Sequence, residues 1–411
     1  MSDVVDPVLD LESLGLDEGA GVLLRQALGE LQAGQTLAVH GTAPELAVHL
    51  RAWARAEGHG LALADGRART GTHRANGSPC VAVLTRGTAS AARWSGAERA
   101  GRAAPDGTVE HPPQHWGLAA RGAAVEAGGP TFQFALHDRD LVWSDDAGAL
   151  YRAAAAAQWD PATAIPWQAD RSHPPFVEDA LVQVLTYLIE NETAALLVPA
   201  KFCAQLHPHF REVMQVLAIQ AADEARHIEV FTRRALLARE HLGLSTGGGQ
   251  ASLQTLLDEP DFALASFLLS VLGEGSFVHL LGFLHVHAPD RCTAEIMRLA
   301  AQDEARHVQF GMSHLRRHAQ HDPTLLARLR LSIERRHEAL RHTAGLNAEV
   351  FDALVVLAAG ERSPRGIAAG AKAVAELQGQ MDAGRRTRLR QLGFEADDAK
   401  ALSALHTRNF M

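Results

Sequence analysis

One five-residue sequence, Asp-Glu-Ala-Arg-His, occurs twice in this chain of 411 residues, at 223–227 and again at 303–307. Both copies lie in segments whose apolar residues recur with helical spacing. A Glu and a His three residues apart project from one face of a helix on neighbouring turns, so both can bind the same metal ion. One such pair is often only a solvated pair on a helix surface. Two identical copies indicate two metal-binding pairs on two helices.

The spacing of apolar residues predicts four long helices after residue 175, at 176–206, 209–241, 261–287 and 291–319. The connections within the first two and within the last two are short, so each pair should be antiparallel. Residues 243–260 join the pairs and are long enough to run the length of a helical bundle. Further helices, expected to pack outside this bundle, are predicted at 323–344, 348–360, 366–383 and 395–405.

The bundle should contribute two more carboxylates, because ferritin-like di-metal sites take a Glu from each of two helices and Glu-x-x-His from each of two others. Glu274 lies in an apolar run of the third helix, and a buried carboxylate needs a cation. On the first helix, Glu190 and Glu192 face nearly opposite directions. Glu192 continues the apolar stripe and is preferred, with Glu190 as the alternative. The predicted site is Glu192, Glu224, His227, Glu274, Glu304 and His307.

The other charged residues of the repeat also have expected roles. A metal-bound His usually donates its second ring N–H to a carboxylate, so Asp223 and Asp303 should orient the histidines, with the pairing crossing between helices. Arg226 and Arg306 either balance the carboxylates or lie on a solvated face. Four Glu and two His form a hard, anionic ligand set that suits iron or manganese.

An apolar pocket beside the site is expected from aromatic and aliphatic residues on the same helices. The candidates, each of which could equally be ordinary bundle core, are Phe231, Phe277, Val278, Leu281 and Phe310. Three histidines of the third helix are candidate additional ligands, although a His on an apolar helix is more often hydrogen-bonded core or surface. They are His279, His285 and His287.

The paired motif, with a Glu about thirty residues before each copy, resembles the ferritin-like di-iron carboxylate oxygenases and oxidases over about 176–320. That group includes the hydroxylase subunits of soluble methane and toluene monooxygenases. The resemblance implies two iron ions, or manganese, with O₂ as co-substrate, a small organic substrate and a ferredoxin or reductase as electron donor. Ribonucleotide reductase small subunits are similar, but the position of their radical Tyr is Phe231 here, and the pocket Thr of the monooxygenases is replaced by Val278.

Two other functions stay open at this point. A ferroxidase or a di-manganese protein that handles peroxide would use the same ligands. A regulatory or interaction protein would keep the bundle without catalysis, although two complete motifs count against it.

The first 70 residues alternate between strand and helix patterns, with strands at 9–11, 36–40 and 60–64 and helices at 21–31 and 43–57. Leu14-Gly15-Leu16, Gly34 before Gln-Thr-Leu, and Gly58-His59 resemble a TusA-type sulfur-carrier domain. That family transfers sulfur on a Cys, where this chain has Glu18 and Gly19, so the resemblance implies an interaction module.

The predicted organisation is an α+β multidomain chain. It consists of a small α/β domain at 1–70, a connector with some β-structure at 71–170, the ferritin-like bundle at 171–320 and C-terminal helices at 321–411. Within the connector, 65–125 is expected to be rich in loops, and 131–145 alternates like a β-hairpin.

Charge and composition limit the partners. The formal net charge of −9 argues against a nucleic-acid surface, which needs clustered cations. Three separated cysteines suggest neither disulfides nor a thiolate metal site. No signal peptide or run of eighteen uncharged apolar residues occurs, so a cytoplasmic protein without a membrane is expected. A homodimer stays open.

Overall fold

The computed structural model describes residues 7–64, 78–89, 93–341 and 348–406. Contacts between residues divide the chain into two units. The first consists of residues 1–103 with 122–130, and the second of residues 104–121 with 131–411.

The first unit holds a four-stranded sheet with two helices. Its elements are β1 Val8–Asp10, α1 Ala20–Gly29, β2 Thr36–His40, α2 Leu46–Ala56, β3 Gly60–Leu63 and β4 Cys80–Thr85, followed by a small pair, β5 Glu98–Arg99 and β6 Ala124–Val125. The strand order is β1-β2-β4-β3, with β1 parallel to β2 and β4 antiparallel to both of its neighbours. The apolar faces of α1 and α2 supply Leu24 and Leu50 to the core, both fully buried.

The elements predicted within 8–64 are all present, and their ends differ by at most three residues. The expectation of a loop-rich connector at 65–125 is wrong at β4, which lies between β2 and β3. Its sequence, Cys-Val-Ala-Val-Leu-Thr, is a short apolar run in which Ala82 and Leu84 are fully buried. Strands of this kind are buried in a sheet and show little polar alternation.

The second unit is helical. Its helices are α3 Arg139–Val142, α4 Ala147–Ala156, α5 Pro161–Ala164, α6 Pro175–Cys203, α7 Arg211–Ala235, α8 Gly247–Leu257, α9 Phe262–Ser266, a π-helix Phe267–Glu274, α10 Gly275–Val286, α11 Arg291–His321, α12 Leu325–Leu340, α13 Ala348–Ala359, α14 Pro364–Leu392 and α15 Ala396–His406. Short 3₁₀ turns occur at Pro105–Gly107, Gln114–Trp116 and Pro208–Phe210.

Four helical elements form the bundle in the predicted order. Helix α6 packs along α7, α10 and the π-helix pack against α11, and α11 also contacts α7. The longer connection between the two pairs contains α8, which was not predicted. Thr246 caps this helix by accepting a hydrogen bond from the backbone N–H of Gly249, so the three glycines at 247–249 form its first turn. One long crossover between two antiparallel pairs is the ferritin-like connectivity.

The predicted hairpin at 131–145 is wrong. Residues 139–142 form α3, and Asp138 caps this helix by accepting a hydrogen bond from the backbone N–H of Asp140. The only β-pairing described for this segment is an isolated bridge between Leu136 and Leu206. An Asp before a short apolar run is a helix start signal that outweighed the alternating pattern here.

A buried ionic cluster joins one end of the bundle. Arg234 of α7, fully buried, donates two hydrogen bonds to Glu178 of α6 and one of 2.6 Å to Asp290, the cap of α11. Removing one partner of such a cluster leaves a buried charge, so the cluster fixes the relative position of three helices that carry predicted ligands.

Two helical segments are long and apolar enough to cross a membrane by length and composition, Pro175–Cys203 and Phe262–Val286. In the bundle, 67% and 78% of the residues in their apolar windows are buried. Each also carries one of the predicted ligand carboxylates, which is typical of core helices rather than of lipid-facing ones.

Candidate metal centre

The structure brings the six predicted ligands together inside the bundle. Glu192 comes from α6, Glu224 and His227 from α7, Glu274 from the end of the π-helix, and Glu304 and His307 from α11. None of the six is more than 4% exposed. Glu190, the alternative to Glu192, is half-buried and lies outside the site.

The six residues form two clusters of four that can hold two metal ions. The first contains Glu192, Glu224, His227 and Glu304, and the second contains Glu224, Glu274, Glu304 and His307. In each cluster the candidate ligand atoms lie within 4.8 Å of one another. Glu224 and Glu304 belong to both clusters, so these two carboxylates occupy the position of bridges.

Distances around the two histidines show this sharing. Nδ1 of His227 lies 3.1 Å from Oε2 of Glu224, 3.4 Å from Oε1 of Glu304 and 3.6 Å from Oε2 of Glu192. Nδ1 of His307 lies 3.0 Å from Oε1 of Glu224 and 3.5 Å from Oε2 of Glu304. Glu224 therefore points one oxygen toward each histidine, and so does Glu304.

The carboxylates lack the hydrogen bonds that buried oxygen atoms need. One oxygen each of Glu192, Glu224 and Glu274 and both oxygens of Glu304 are buried without a hydrogen-bond partner. Leaving such groups unpaired is costly, whereas metal ions satisfy them directly. Iron and manganese both accept mixed carboxylate and imidazole ligands, so the residues present fit two such ions.

Crowding of these groups changes their protonation. Burial and the neighbouring Glu224 raise the pKa of Glu192 to about 8. Burial and Glu304 raise the pKa of Glu274 well above its ordinary value. Burial alone would lower the pKa of His227, but hydrogen bonds with Asp303 and the glutamates outweigh it and raise that pKa. These shifts reflect too much negative charge in one small volume, which cations relieve.

The aspartates of the repeat hold the histidines in the crossed pattern that the sequence predicted. Nε2 of His227 lies 3.1 Å from Oδ2 of Asp303, and Nε2 of His307 lies 3.3 Å from Oδ2 of Asp223. Each Asp therefore accepts a hydrogen bond from the His of the other copy. With Nε2 of each ring held by an Asp, Nδ1 faces the cluster, where a bound metal ion would take the place of its proton.

The arginines of the repeat lie against these aspartates rather than on a solvated face. Arg226 donates to Asp223 at 2.5 Å and to Asp303 at 2.9 Å, and Arg306 donates to Asp303. Arg226 is 9% exposed. The two arginines therefore neutralise the two aspartates behind the histidines.

Several residues of this outer layer were not predicted. The indole N–H of Trp159 donates to Asp303 at 2.9 Å, and the side-chain amide of Gln158 donates to Asp223 at 2.7 Å. Both belong to the segment at 71–170 that the sequence predicted as a connector. Gln220 donates to Glu274 at 2.8 Å, and its position one turn before Glu224 on α7 was the available signal.

The π-helix places Glu274 at the site. A π-helix widens the backbone over 267–274, and such segments occur preferentially at functional sites. Helix α11 passes close to it at Gly311, where a Cβ would lie 2.6 Å from Cβ of Ser270. Glycine at 311 therefore allows the two elements to approach closely enough for Glu274 and Glu304 to share a cluster.

A narrow cavity adjoins three of the ligands, Glu192, Glu274 and Glu304. Its empty volume, which includes space open to solvent, is about 360 Å³. The remaining lining residues are Asn191, Ala195, Leu253, Leu256, Leu268, Leu269, Gly273, Phe277 and Arg336.

The predicted pocket is therefore largely wrong. Of its five candidates, Phe277 lines the cavity and Phe231, Val278, Leu281 and Phe310 do not. The ring of Phe231 lies 6.2 Å from that of His227, and the ring of Phe310 packs near His314. Asn191 and Arg336 make the cavity partly polar, whereas an apolar one was expected.

The three extra histidines lie outside both clusters. His285 hydrogen-bonds through Nδ1 with the carbonyl of Ala294, at 2.8 Å. The ring of His287 lies 4.5 Å from that of Phe283. Burial lowers the pKa of His279, which faces Arg388 and Arg385. The hydrogen-bonded or surface interpretation of these residues is the one that the structure supports.

Comparison with known proteins finds resemblance only among solved structures. No protein-family model matches the chain, and no curated protein matches it significantly. A variant of an R2-like ligand-binding oxidase with an aerobically reconstituted Mn/Fe cofactor has 17% identity and a TM-score of 0.42, over 65% of this chain and 93% of that one. An R2-like ligand-binding oxidase with a reconstituted metal cofactor after photoconversion has 17% identity and a TM-score of 0.41, over 65% and 92%. Similarity this distant transfers no residue role, so the metal centre depends on its own geometry.

Proposed function

We propose that this chain is an O₂-dependent di-metal oxidoreductase that acts on a small organic substrate, with two iron ions or a mixture of iron and manganese. The observation that carries the proposal is the pair of buried clusters that share Glu224 and Glu304, with carboxylate oxygens that have no hydrogen-bond donor. Bound metal ions would supply the reduction of O₂ and the oxidation of the substrate.

The protein's own residues have three tasks in this proposal. The six ligands would hold two ions, with Glu224 and Glu304 available to both. Asp223 and Asp303 orient the imidazole rings so that Nδ1 of each faces the cluster. The cavity beside Glu192, Glu274 and Glu304 gives the substrate a place next to the ions.

The electron balance requires a partner if the reaction is a monooxygenation. Reduction of O₂ to water takes four electrons, and a substrate that is hydroxylated supplies two. We propose a ferredoxin or a reductase as the source of the other two. An oxidase that returns hydrogen peroxide would need none, since its substrate supplies both electrons that O₂ then accepts.

The ligand assignment is tested by replacing a shared ligand and a matched residue on the same helix. Glu304→Gln should lose at least one of two metal ions per chain and all substrate-linked O₂ consumption, because both clusters contain it. Glu295→Gln lies on the same helix, in a partly exposed ion pair with Arg298, and should retain both. Metal analysis and an oxygen electrode measure the two quantities. Normal metal content and O₂ consumption in Glu304→Gln would overturn the proposal.

A ferroxidase or a di-manganese protein that handles peroxide would use the same six ligands. The cavity next to them favours an organic substrate, because Fe²⁺ and peroxide do not need one with apolar walls. If protein supplied with Fe²⁺ and O₂ alone turns over repeatedly and stores ferric product, the ferroxidase alternative is correct. A single round of oxidation that then stops supports the proposal.

We propose that the first unit docks a partner and that the helical bundle carries out catalysis. At the position where a TusA-type carrier has its Cys, Glu18 accepts a hydrogen bond of 3.0 Å from the backbone N–H of Gly15. This carboxylate stabilises its own turn and cannot carry a persulfide. Cytoplasmic location and a homodimer stay predictions.

A further inference from the structure

Arg336 is a buried cation in the wall of the cavity. It lies on α12, is 6% exposed, and donates to the hydroxyl of Ser252 at 2.8 Å and to its carbonyl at 3.4 Å. Both acceptors are neutral. Within the described residues, no carboxylate lies within 4.0 Å of its guanidinium. Burial lowers its pKa to about 10, so it still carries its charge at neutral pH.

Buried charge is usually paired, since removing an isolated charge from water is costly. The other charges around the metal centre can be matched. The four ligand glutamates and the two aspartates carry six negative charges, and Arg226 and Arg306 cancel two of them. Two divalent metal ions would cancel the remaining four. Arg336 is then left as an uncompensated positive charge beside a balanced site.

The rest of the cavity indicates the shape of a matching anion. Its apolar wall is formed by Leu253, Leu256, Leu268 and Leu269. Oδ1 of Asn191, also in the wall, is buried without a hydrogen-bond donor. A planar carboxylate fits the flat guanidinium with two parallel hydrogen bonds.

We propose that Arg336 binds the carboxylate of an organic acid whose apolar carbon atoms lie against the leucine wall, pointing toward Glu192, Glu274 and Glu304. The inference that this acid is the substrate rests on the proposed oxidoreductase function. The inference that the cavity selects an acid does not, because it concerns binding alone. Arg336 is then the residue that determines specificity, while the metal ligands carry the chemistry.

The test compares an acid with its amide in the full chain loaded with Zn²⁺, which balances the ligand carboxylates without reducing O₂. Phenylacetate and phenylacetamide have nearly the same shape and differ in charge, and pentanoate with pentanamide forms a slimmer pair. By isothermal titration calorimetry at pH 7.5, the wild-type protein should bind at least one acid ten or more times as tightly as its amide, which is about 1.4 kcal/mol or more.

Variants show which residue gives this preference. Arg336→Gln should weaken binding of the acid at least tenfold and change binding of the amide less than threefold. Arg335→Gln, the neighbouring residue on the exposed face of the same helix, should leave both unchanged. Arg336→Met replaces the buried charged side chain with an apolar one of similar length. It should fold with an unchanged or higher Tm and also lose the preference.

Three results would overturn the proposal. The first is that neither acid binds, or that the wild type binds acid and amide alike. The second is that Arg336→Gln and Arg336→Met retain the preference. The third is that the acid binds only after metal loading and independently of Arg336, because the carboxylate would then bind the metal ions. If only the proposed function fails, iron-loaded protein will consume no O₂ while the Zn²⁺-loaded protein still prefers the acid.

Discussion

Glu190 and Glu192 are two positions apart on α6, and only Glu192 faces the metal centre. Glu192 is 2% exposed and lies 3.6 Å from Nδ1 of His227, with one oxygen unpaired. Glu190 is half-buried and belongs to neither cluster of candidate ligands. The apolar stripe of the helix distinguished the two, since only one of two neighbouring alternate positions can face the bundle interior.

These two residues give a matched pair of variants. Glu192→Gln should reduce affinity for one of the two metal ions at least tenfold, because an amide oxygen is neutral and a weaker ligand. Glu190→Gln should bind both ions normally. Metal content after reconstitution and dialysis distinguishes them. Equal metal content in the two variants would contradict the assignment of Glu192.

The sequence predicted the metal ligands correctly and most of the pocket residues wrongly, for a physical reason. The six ligands follow from spacing along single helices, which fixes which side chains share a face. Which side chains line the pocket depends on which other helix each buried helix face packs against. Phe231 and Phe310 are buried as expected, yet they contact His227 and His314 instead of the cavity. Arg336, from a helix expected to pack outside the bundle, could not be assigned to the cavity from spacing alone.

His314 makes the stability of the bundle sensitive to pH. Burial and the neighbouring His318 lower the pKa of His314 to about 4, whereas an unfolded His titrates near 6.5. As the pH falls from about 6.5 to about 4, the unfolded chain gains a proton that the folded chain does not. The contribution of His314 to the free energy of unfolding is therefore fully present above pH 6.5. It decreases by about 3 kcal/mol as the pH falls to about 4.

Replacing His314 should flatten this pH dependence. His314→Gln keeps a donor for the carbonyl of Trp143, 3.2 Å from Nδ1, and cannot be protonated. Between pH 7 and pH 4.5, we expect its free energy of unfolding to fall by roughly 2 to 3 kcal/mol less than that of the wild type. Urea unfolding at several pH values measures this. His321→Gln, exposed on the same helix, serves as the control. Identical pH dependence in all three proteins would refute the prediction.

At the scale of elements, the contact between α11 and the π-helix decides whether the second cluster forms. Helical spacing predicted 261–287 as one helix, and the structure confirms its extent. The π-helical segment within it was not predictable. An additional residue in a helical turn shifts the spacing of apolar residues, and this shift cannot be seen where nearly every residue is apolar. Gly311 is the sequence signal on the facing helix, and it has meaning only once its neighbour Ser270 is known.

Gly311→Ala tests this contact. The added Cβ would lie 2.6 Å from Cβ of Ser270, so the elements must separate, at a cost of about 1 to 3 kcal/mol in stability. Because separation moves Glu274 away from Glu304, metal affinity should also fall. Gly282→Ala on α10 meets no atom within 4 Å and should be neutral or stabilising by roughly 0.5 to 1 kcal/mol. Thermal unfolding with and without metal compares the variants, and a stable, metal-replete Gly311→Ala would rule out the tight contact.

At the scale of the whole molecule, the first unit extends further along the chain than its first seventy residues. Its described core extends from Leu11 in the chain to Ala82 and Leu84 of β4. Strand β4 pairs with both β2 and β3, so a chain without it has two strands that lack their shared partner. The alternation of helices and strands predicted the earlier elements, whereas β4 follows a stretch without periodicity that obscured it.

Two fragments follow from this topology. Residues 1–70 should be unfolded in isolation, because the fragment lacks the strand that completes the sheet. Residues 1–89 contain the whole described core and should fold. Dispersion of amide signals in two-dimensional NMR spectra separates the two outcomes. A well-dispersed spectrum for 1–70 would show that the sheet does not need β4.

The crossed hydrogen bonds between the two copies of the repeat have a further consequence. The first copy's Asp223 holds the second copy's His307, and the second copy's Asp303 holds the first copy's His227. Identical subunits have the same relation across a twofold axis, where residue i of one subunit contacts residue j of the other and the reverse contact also occurs. Neither half of the bundle can orient its own histidine, so the halves are complementary in the way that two protomers of a homodimer are. A chain of half this length with one copy of the repeat would complete the same centre only by pairing with itself.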